Sequence, residues 1–285
     1  MLKQRVLTAI VLLAILLGTL LAPTPWPLVL LLVLMAACAL WEWLRLTLPN
    51  RAAAFAVPLA ILSAFAMAVL AVQWLGDPPS GWPAGLRAGI DRWLMPAVSL
   101  IWVAGAGALV LQGQTGERRH CVWLSVFGIL AVIAAWSALV QLFVARGPWF
   151  LVSLMALIWF ADIAAYFTGK ALGRHKLAPR VSPGKTWEGA VGGVAAACIW
   201  VAASARWPGS FGHALVEQWS WLAAIAATAF LAALSIVGDL FESLLKRRAG
   251  VKDSSQLLPG HGGVYDRIDA LLPVAPLAFL LTGAG

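Results

Sequence analysis

The amino-acid sequence predicts an all-α polytopic membrane protein of about nine transmembrane helices, with a polar cavity at the cytoplasmic side. Three observations carry that expectation. Apolar residue types make up 62% of the 285 residues and charged types 11%, where a soluble domain carries roughly 25% charged. Too few polar side chains remain to coat a water-exposed globule, and disorder is excluded because it needs low hydrophobicity and high charge. The second observation is a succession of apolar runs of bilayer length. The third is the one-sided placement of the basic residues.

A helix crossing the hydrocarbon core needs about 20 mainly apolar residues. Nine stretches qualify: 6–22, 27–44, 53–75, 93–111, 121–144, 149–169, 187–205, 219–238 and 267–283. The first follows Lys3 and Arg5, as the apolar core of a signal peptide would. No small-x-small cleavage site follows it, and Pro23 stands where cleavage would fall, so a retained helix is expected. The third, fifth and eighth runs are the most continuous. The seventh opens with Gly189 and Gly193, a spacing that suits close helix packing. The ninth is short and begins among charges.

If these runs alternate from a cytoplasmic N-terminus, the basic residues divide unevenly. Lys3, Arg5, Arg45, Arg51, Arg118, Arg119, Lys170, Arg174, Lys176, Arg180, Lys185, Lys246, Arg247, Arg248, Lys252 and Arg267 fall on the cytoplasmic side. Only Arg87, Arg92, Arg146 and Arg206 fall on the other. Sixteen of 20 on one side is a strong positive-inside bias and predicts N-in, C-out. The net charge of +8 therefore reads as orientation plus an anionic cytoplasmic partner. Nucleic acid is a poor candidate, because no separate basic domain exists to bind it. Cys38, Cys121 and Cys198 lie far apart in apolar runs, which argues against a disulfide framework and against zinc. The 16 Trp residues suggest interfacial anchoring. The chain divides at about 148, into divergent N-terminal helices (1–148) and a C-terminal region (149–285) that holds most of the chemistry.

Two cytoplasmic segments hold ten of the 20 basic residues. In the first, residues 159–189, Asp162 interrupts the sixth apolar run. A carboxylate at a helix centre costs about 2.5 to 3.5 kcal/mol on insertion scales, so it should face a polar cavity rather than lipid. Tyr166 lies one turn later on the same face. Ser182, Pro183, Gly184, Lys185 and Thr186 resemble a phosphate loop, but a Walker A motif would need Gly where Pro179 stands. What remains is a Lys and hydroxyls just before a helix N-terminus, which suits phosphate oxygens. Glu188 suits the first turn of that helix.

In the second segment, residues 238–269, Asp239, Glu242, Ser243 and Lys246 share one face if the eighth helix continues past the membrane surface. Further on, Gly262 and Gly263 let backbone approach a ligand closely. Asp266 and Asp269 lie three apart, and two adjacent carboxylates repel unless a proton or a cation lies between them. Mg²⁺ takes one or two carboxylates plus substrate phosphates, which fits. A lone histidine, here His261, is more often structural than catalytic.

The stretch from Ser243 to Asp269 resembles the signature of CDP-diacylglycerol synthases, also called phosphatidate cytidylyltransferases. The matching positions read S-x-L-K-R, four residues, K-D-x-S, then L-P-G-H-G-G-V-Y-D-R-I-D. Asp162, Tyr166, Ser182, Pro183, Lys185, Thr186, Glu188 and Gly189 also resemble the family. The chain departs from its pattern at Gly184, where Lys is usual, and at Ile163 and Ala164, where Thr-Gly is usual. The resemblance implies that CTP and phosphatidic acid give CDP-diacylglycerol and pyrophosphate, with Mg²⁺ and room for a second cation, at the cytoplasmic (inner) membrane. Among the residues it implicates, Asp239, Asp266 and Asp269 are expected as cation ligands and Ser182, Lys185, Lys252 and Asp253 on CTP. Lys246, Arg247 and Arg267 would face phosphates, with His261, Gly262 and Gly263 at the substrate. Asp162 and Glu188 would shape the cavity. The expected partners are CTP, phosphatidic acid and the bilayer, and a homodimer is open to such a chain.

The residues fit that reaction independently. A phosphate monoester carries about −1.5 to −2 at neutral pH, so its oxygen is already a nucleophile. A lipid-linked kinase or another lipid transferase would use the same metal and phosphate logic. A transporter should spread its charges around a midplane site, often with inverted repeats, whereas here the charges crowd one face and no repeat is visible. A structural scaffold would not need the Asp266 and Asp269 pair.

Overall fold

In a computed structural model, residues 2–76, 81–115 and 121–283 are described. Arg118 and Arg119, and the side chains of Lys3 and Arg5, lie outside that range, so their part in the charge count is not covered. The chain forms helices α1 (Leu2–Leu20), α2 (Trp26–Thr47), α3 (Ala56–Leu75), α4 (Trp82–Gln112), α5 (Val122–Arg146) and α6 (Pro148–Leu172). A two-stranded hairpin follows, β1 (Lys176–Ala178) and β2 (Ser182–Thr186), antiparallel with Lys176 opposite Thr186. Then come α7 (Trp187–Ser204), α8 (Phe211–Gln218), α9 (Trp221–Ala249), α10 (Tyr265–Ile268) and α11 (Leu271–Thr282).

Among the described residues, seven helices are long and apolar enough to span a membrane: α2, α3 with its preceding turn, α4, α5, α6, α7 and α9. They match the second through eighth expected runs, so the all-α membrane fold stands. Of the outer two of the nine, α1 contributes an apolar stretch of Val6–Leu20 among the described side chains, and α11 has only 12 residues. The α11 helix is short because it does not start at the membrane surface. Its leading residues pack against the middle of α9, where a Cβ on Gly238 would lie 2.5 Å from the Asp269 carbonyl and 2.9 Å from the Pro273 ring. Asp239 precedes the end of α9 by ten residues, about 15 Å of rise. The chain leaving α9 therefore turns back down beside the bundle before α11 begins.

Successive helices run antiparallel, which gathers the hairpin, the 250–264 loop and the start of α1 at one end. Thr8 donates to the Pro259 carbonyl at 2.9 Å and Arg248 to the Gln114 carbonyl at 2.9 Å. At the opposite end Arg146 donates to the Thr282 carbonyl and Trp219 to the Leu281 carbonyl. One continuous apolar core joins helices from before and after residue 148, with α5 at its centre.

Local sequence explains the irregular points. Within α4, Pro96 lacks an N–H and its ring crowds the carbonyl one turn back, and a π-helical turn occupies Ile90–Leu94 just before it. The Gly189 and Gly193 spacing is a packing device. A Cβ at Gly193 would come within 2.7 Å of the Ala161 carbonyl, and one at Gly189 within 2.8 Å of the Ala165 carbonyl, so α6 and α7 touch backbone to backbone. Tryptophan serves two purposes rather than the one expected. Trp123, Trp187 and Trp221 are exposed, whereas Trp43 and Trp102 are fully buried. Trp43 packs on Tyr265, Phe241, Trp102 and Phe127, with ring centroids 5.2 to 6.0 Å apart. The three cysteines are free, as expected.

Candidate active site

Helix α9 supplies the first half of the site. Ser220 caps its start, accepting from the Ala223 N–H, and Gly250 ends it at φ 69°, a left-handed turn that glycine adopts without strain. Its 29 residues span about 43 Å, more than the roughly 30 Å hydrocarbon core, so its last turns carry polar groups. Asp239, Glu242, Ser243 and Lys246 share one face, as their spacing predicts, and Ser243 donates to Asp239 at 3.5 Å.

Asp269 approaches that face from the end of α10. Carboxylate oxygens of Asp239, Glu242 and Asp269 all lie within 4.8 Å of one another. Glu242 is 2% exposed. One of its oxygens pairs with Lys246 at 2.8 Å, while Oε1 is buried with no hydrogen-bond partner. Asp239 pairs with Lys185 from β2 at 2.5 Å. Asp162 is exposed on α6 and lies within electrostatic reach of both Asp239 and Lys185, so it borders this polar region rather than facing lipid alone.

Asp266 was expected to share a cation with Asp269 and instead lies beside the converging trio. The α10 turn points it into the 250–264 loop. One of its oxygens takes the Lys246 ammonium at 2.6 Å. The other accepts from the Ser254 N–H, the Ser254 hydroxyl and the Gly263 N–H at 3.1, 2.9 and 2.7 Å. Burial pushes the Asp266 carboxyl up, but its contacts with Glu242, Lys246 and the Gly263 N–H outweigh that and hold it well below the usual carboxylate range. Lys246 thus bridges Glu242 and Asp266.

The loop itself is shaped by its glycines. At Gly262 φ is +80°, and a Cβ there would lie 2.7 Å from Asp266 Oδ2. A Cβ at Gly263 would overlap the Ser254 hydroxyl and the Glu42 carboxylate. Lys252, Asp253, His261, Gly262 and Arg267 line a polar cleft of about 710 Å³. His261 Nδ1 is buried there without a partner, and the Arg267 guanidinium donates to the His261 carbonyl at 2.7 Å.

On the other side of the site, Ser182 to Thr186 form a strand that runs directly into the N-terminus of α7. Thr186 occupies the helix cap itself, accepting from the Gly189 N–H at 3.1 Å. Glu188 accepts from the His175 ring at 2.6 Å and from the His175 N–H at 3.3 Å, which closes the base of the hairpin. Arg247 donates to the Val181 carbonyl at 3.4 Å, joining hairpin and helix.

Two site residues go beyond those expected. Glu242 lies on the polar stripe of α9 and was passed over as a ligand. Glu42, on α2, is fully buried and accepts four hydrogen bonds from the 250–264 loop and the start of α10. A single acid in the second apolar run is the signal that could have found it, by the argument applied to Asp162.

A cation fits the trio. Its donors are all hard carboxylate oxygens, one of them an orphaned buried atom. Asp162, Asp239, Glu242, Asp266 and Asp269 crowd against two ammonium groups, Lys185 and Lys246. Mg²⁺ bound by carboxylates and substrate phosphates suits such a set.

The chain matches the model of the cytidylyltransferase family over residues 3–284. It is 40% identical to a phosphatidate cytidylyltransferase of Pseudomonas aeruginosa over 294 residues, covering 100% of this chain and 98% of that one. It is 36% identical to one of Haemophilus influenzae, covering 97% and 96%. A Brucella suis protein of the same name is 39% identical over 199 residues, 69% of this chain and 68% of that one.

Proposed function

The chain belongs to the cytidylyltransferase family, and from that membership and the site geometry we infer that it is a phosphatidate cytidylyltransferase. The observation that carries the reading is the meeting, at one end of a membrane bundle, of a carboxylate trio, two ammonium groups and a polar nucleotide-sized cleft. CTP and phosphatidic acid are the substrates, and CDP-diacylglycerol and pyrophosphate the products.

A phosphatidate oxygen attacks the α-phosphorus of CTP. The new P–O bond forms as the bond to the β-phosphate breaks, and pyrophosphate leaves with the bonding electrons. The attacking oxygen is already anionic, so the protein's task is to overcome repulsion between two polyanions and to align them. Asp239, Glu242 and Asp269 would hold Mg²⁺, which supplies neutralisation of the transferring phosphate. Lys185, Arg247 and Arg267 stand where further phosphate charge would be met, and Lys252, Asp253 and His261 line the cleft assigned to CTP. A second cation would draw on Asp162 beside the trio. All these groups come from one chain, so the reading does not depend on a homodimer.

The site end is read as cytoplasmic and the membrane as the inner one. Support comes from the one-sided basic residues of the sequence, of which the described ones in the hairpin and the 246–267 segment lie at the site end. Single cysteines in the 170–186 and 250–264 segments should resist an impermeant thiol reagent in intact cells, while one near Gly283 should react. Labelling of both segments from outside would overturn the orientation.

The reaction is tested by incubating purified protein with CTP labelled at the α-phosphate, phosphatidic acid and Mg²⁺. The label should become lipid-soluble, with intersecting double-reciprocal lines and inversion at phosphorus. Retention of configuration, or exchange of pyrophosphate into CTP without lipid, would replace direct attack by a covalent nucleotidyl-enzyme.

A further inference from the structure

We propose that Glu42 is a positioning residue that fixes the nucleotide-side loop from the far N-terminal half of the chain, and so sets affinity for CTP. The kinetic part of the proposal rests on the cytidylyl-transfer reading. Glu42 lies five residues before the end of α2 and is 0% exposed. Oε1 accepts from the Ser255 hydroxyl at 2.5 Å and the Val264 N–H at 3.0 Å. Oε2 accepts from the Ser254 hydroxyl at 3.0 Å and the Tyr265 N–H at 2.6 Å. A carboxylate offers about four lone-pair sites, and all four are engaged. Among the described residues no ammonium or guanidinium pairs with it. A buried carboxylate satisfied by neutral donors alone is held by direction as well as by charge.

The four donors mark both ends of one loop, at 254–255 and at 264–265. Lys252 and Asp253 precede the first pair, and His261 and Gly262 lie between the two. The Ser254 hydroxyl has a single proton and divides it between Glu42 and Asp266, at 3.0 and 2.9 Å. A shift at Glu42 would therefore move the cleft lining and Asp266 together. Mere attachment of this region to α2 is already provided by Trp43, packed on Tyr265 and Phe241. Apolar stacking resists separation but tolerates sliding. The hydrogen bonds of Glu42 remove that freedom, which is a positioning function.

The test compares E42Q and S255A with the wild-type protein in detergent, reading kcat, KM for each substrate and amide hydrogen exchange across 251–264. Gln keeps the length, but its NH₂ group faces donors it cannot satisfy. E42Q should raise KM for CTP at least about tenfold and leave KM for phosphatidic acid within about twofold. Exchange at 256–263 should quicken. S255A removes one of the four donors and should act in the same direction by about threefold. Should E42Q fail to fold, S255A decides on the same readouts. Activity lost only in proportion to the unfolded fraction, with KM for CTP unchanged, would make Glu42 a structural anchor and overturn the proposal. If the wild type itself transfers no label, the reaction fails and the exchange comparison still judges the clamp.

Discussion

The two loops that meet at the site are held in opposite ways. The hairpin between α6 and α7 is open to solvent from Gly173 to Lys176. Its attachments are at the rim: His175 to Glu188, Lys185 to Asp239 and Arg247 to the Val181 carbonyl. The 250–264 loop instead buries Ser254, Ser255, Gly263 and Val264 and hangs on carboxylates from α2 and α10. Exposed ion pairs are screened and readily exchanged, whereas a buried network is costly to rearrange. The hairpin is therefore suited to adjust when substrates arrive, and the buried loop to present its groups in a fixed arrangement beforehand.

Substitutions that strike the fixed side should cost most. D239N, E242Q and D269N each remove a charge from the trio and should lower turnover at least about 100-fold, the scale of losing a major electrostatic contribution, with normal membrane insertion. Near-wild-type rates in all three would remove the cation from this place. Next comes G263A. Its methyl group has no space between Glu42 and Ser254, and overpacking of about 1–3 kcal/mol should lower kcat/KM by roughly 10- to 100-fold and quicken amide exchange through the loop. Unchanged exchange would show the loop to be looser than its contacts indicate.

Effects on the hairpin should be smaller. K185M frees Asp239 from its partner at a half-exposed position, and about a tenfold loss in kcat/KM is expected, mostly in KM for CTP. A loss equal to that of D239N would mean that the hairpin is as rigid a part of the site as α9. H175A breaks a pair whose histidine side chain is 78% exposed and should change kcat/KM by less than about twofold. The smallest effect in the assay range is that of pH at Asp266. Its lowered pKa contributes stability that is fully present above the ordinary carboxylate range and is lost as pH falls below about 4. Thermal midpoints should not respond to this group between pH 5 and 9, and D266N should make the acid-side fall shallower by about one proton.

The same contrast explains what was legible in the amino-acid sequence. Apolar runs of bilayer length placed α2 to α7 and α9, because span length is set by the hydrocarbon core rather than by partners elsewhere in the chain. The α9 stripe followed from helical period alone. The hairpin was invisible because β1 and β2 have three and five residues, with Pro183 and Gly184 inside and no alternation to read. The placement of Asp266 was missed for a different reason. Three-residue spacing puts two side chains on one helical face, but α10 is a single turn, and Ser254 and Lys246 draw Asp266 away from Asp269. Glu42 depends on partners more than 200 positions along the chain, which no local pattern encodes.

Helix α9 outruns the bilayer, and Asp239 lies about 15 Å short of its end. That depth lets the lipid substrate react without leaving its leaflet. Extracting two acyl chains of about 15 methylenes each would cost roughly 24 kcal/mol at 0.8 kcal/mol per methylene, a barrier no turnover could tolerate. Asp239 lies 18 residues into α9, about 27 Å of rise, so a hydrocarbon core of roughly 30 Å would bring the trio near the level of the lipid phosphate. The concentration that governs the rate is then two-dimensional, the mole fraction of phosphatidic acid in the surrounding membrane. Diluting the lipid in inert phospholipid should slow the reaction at constant bulk amount, while diluting the vesicles in buffer should not.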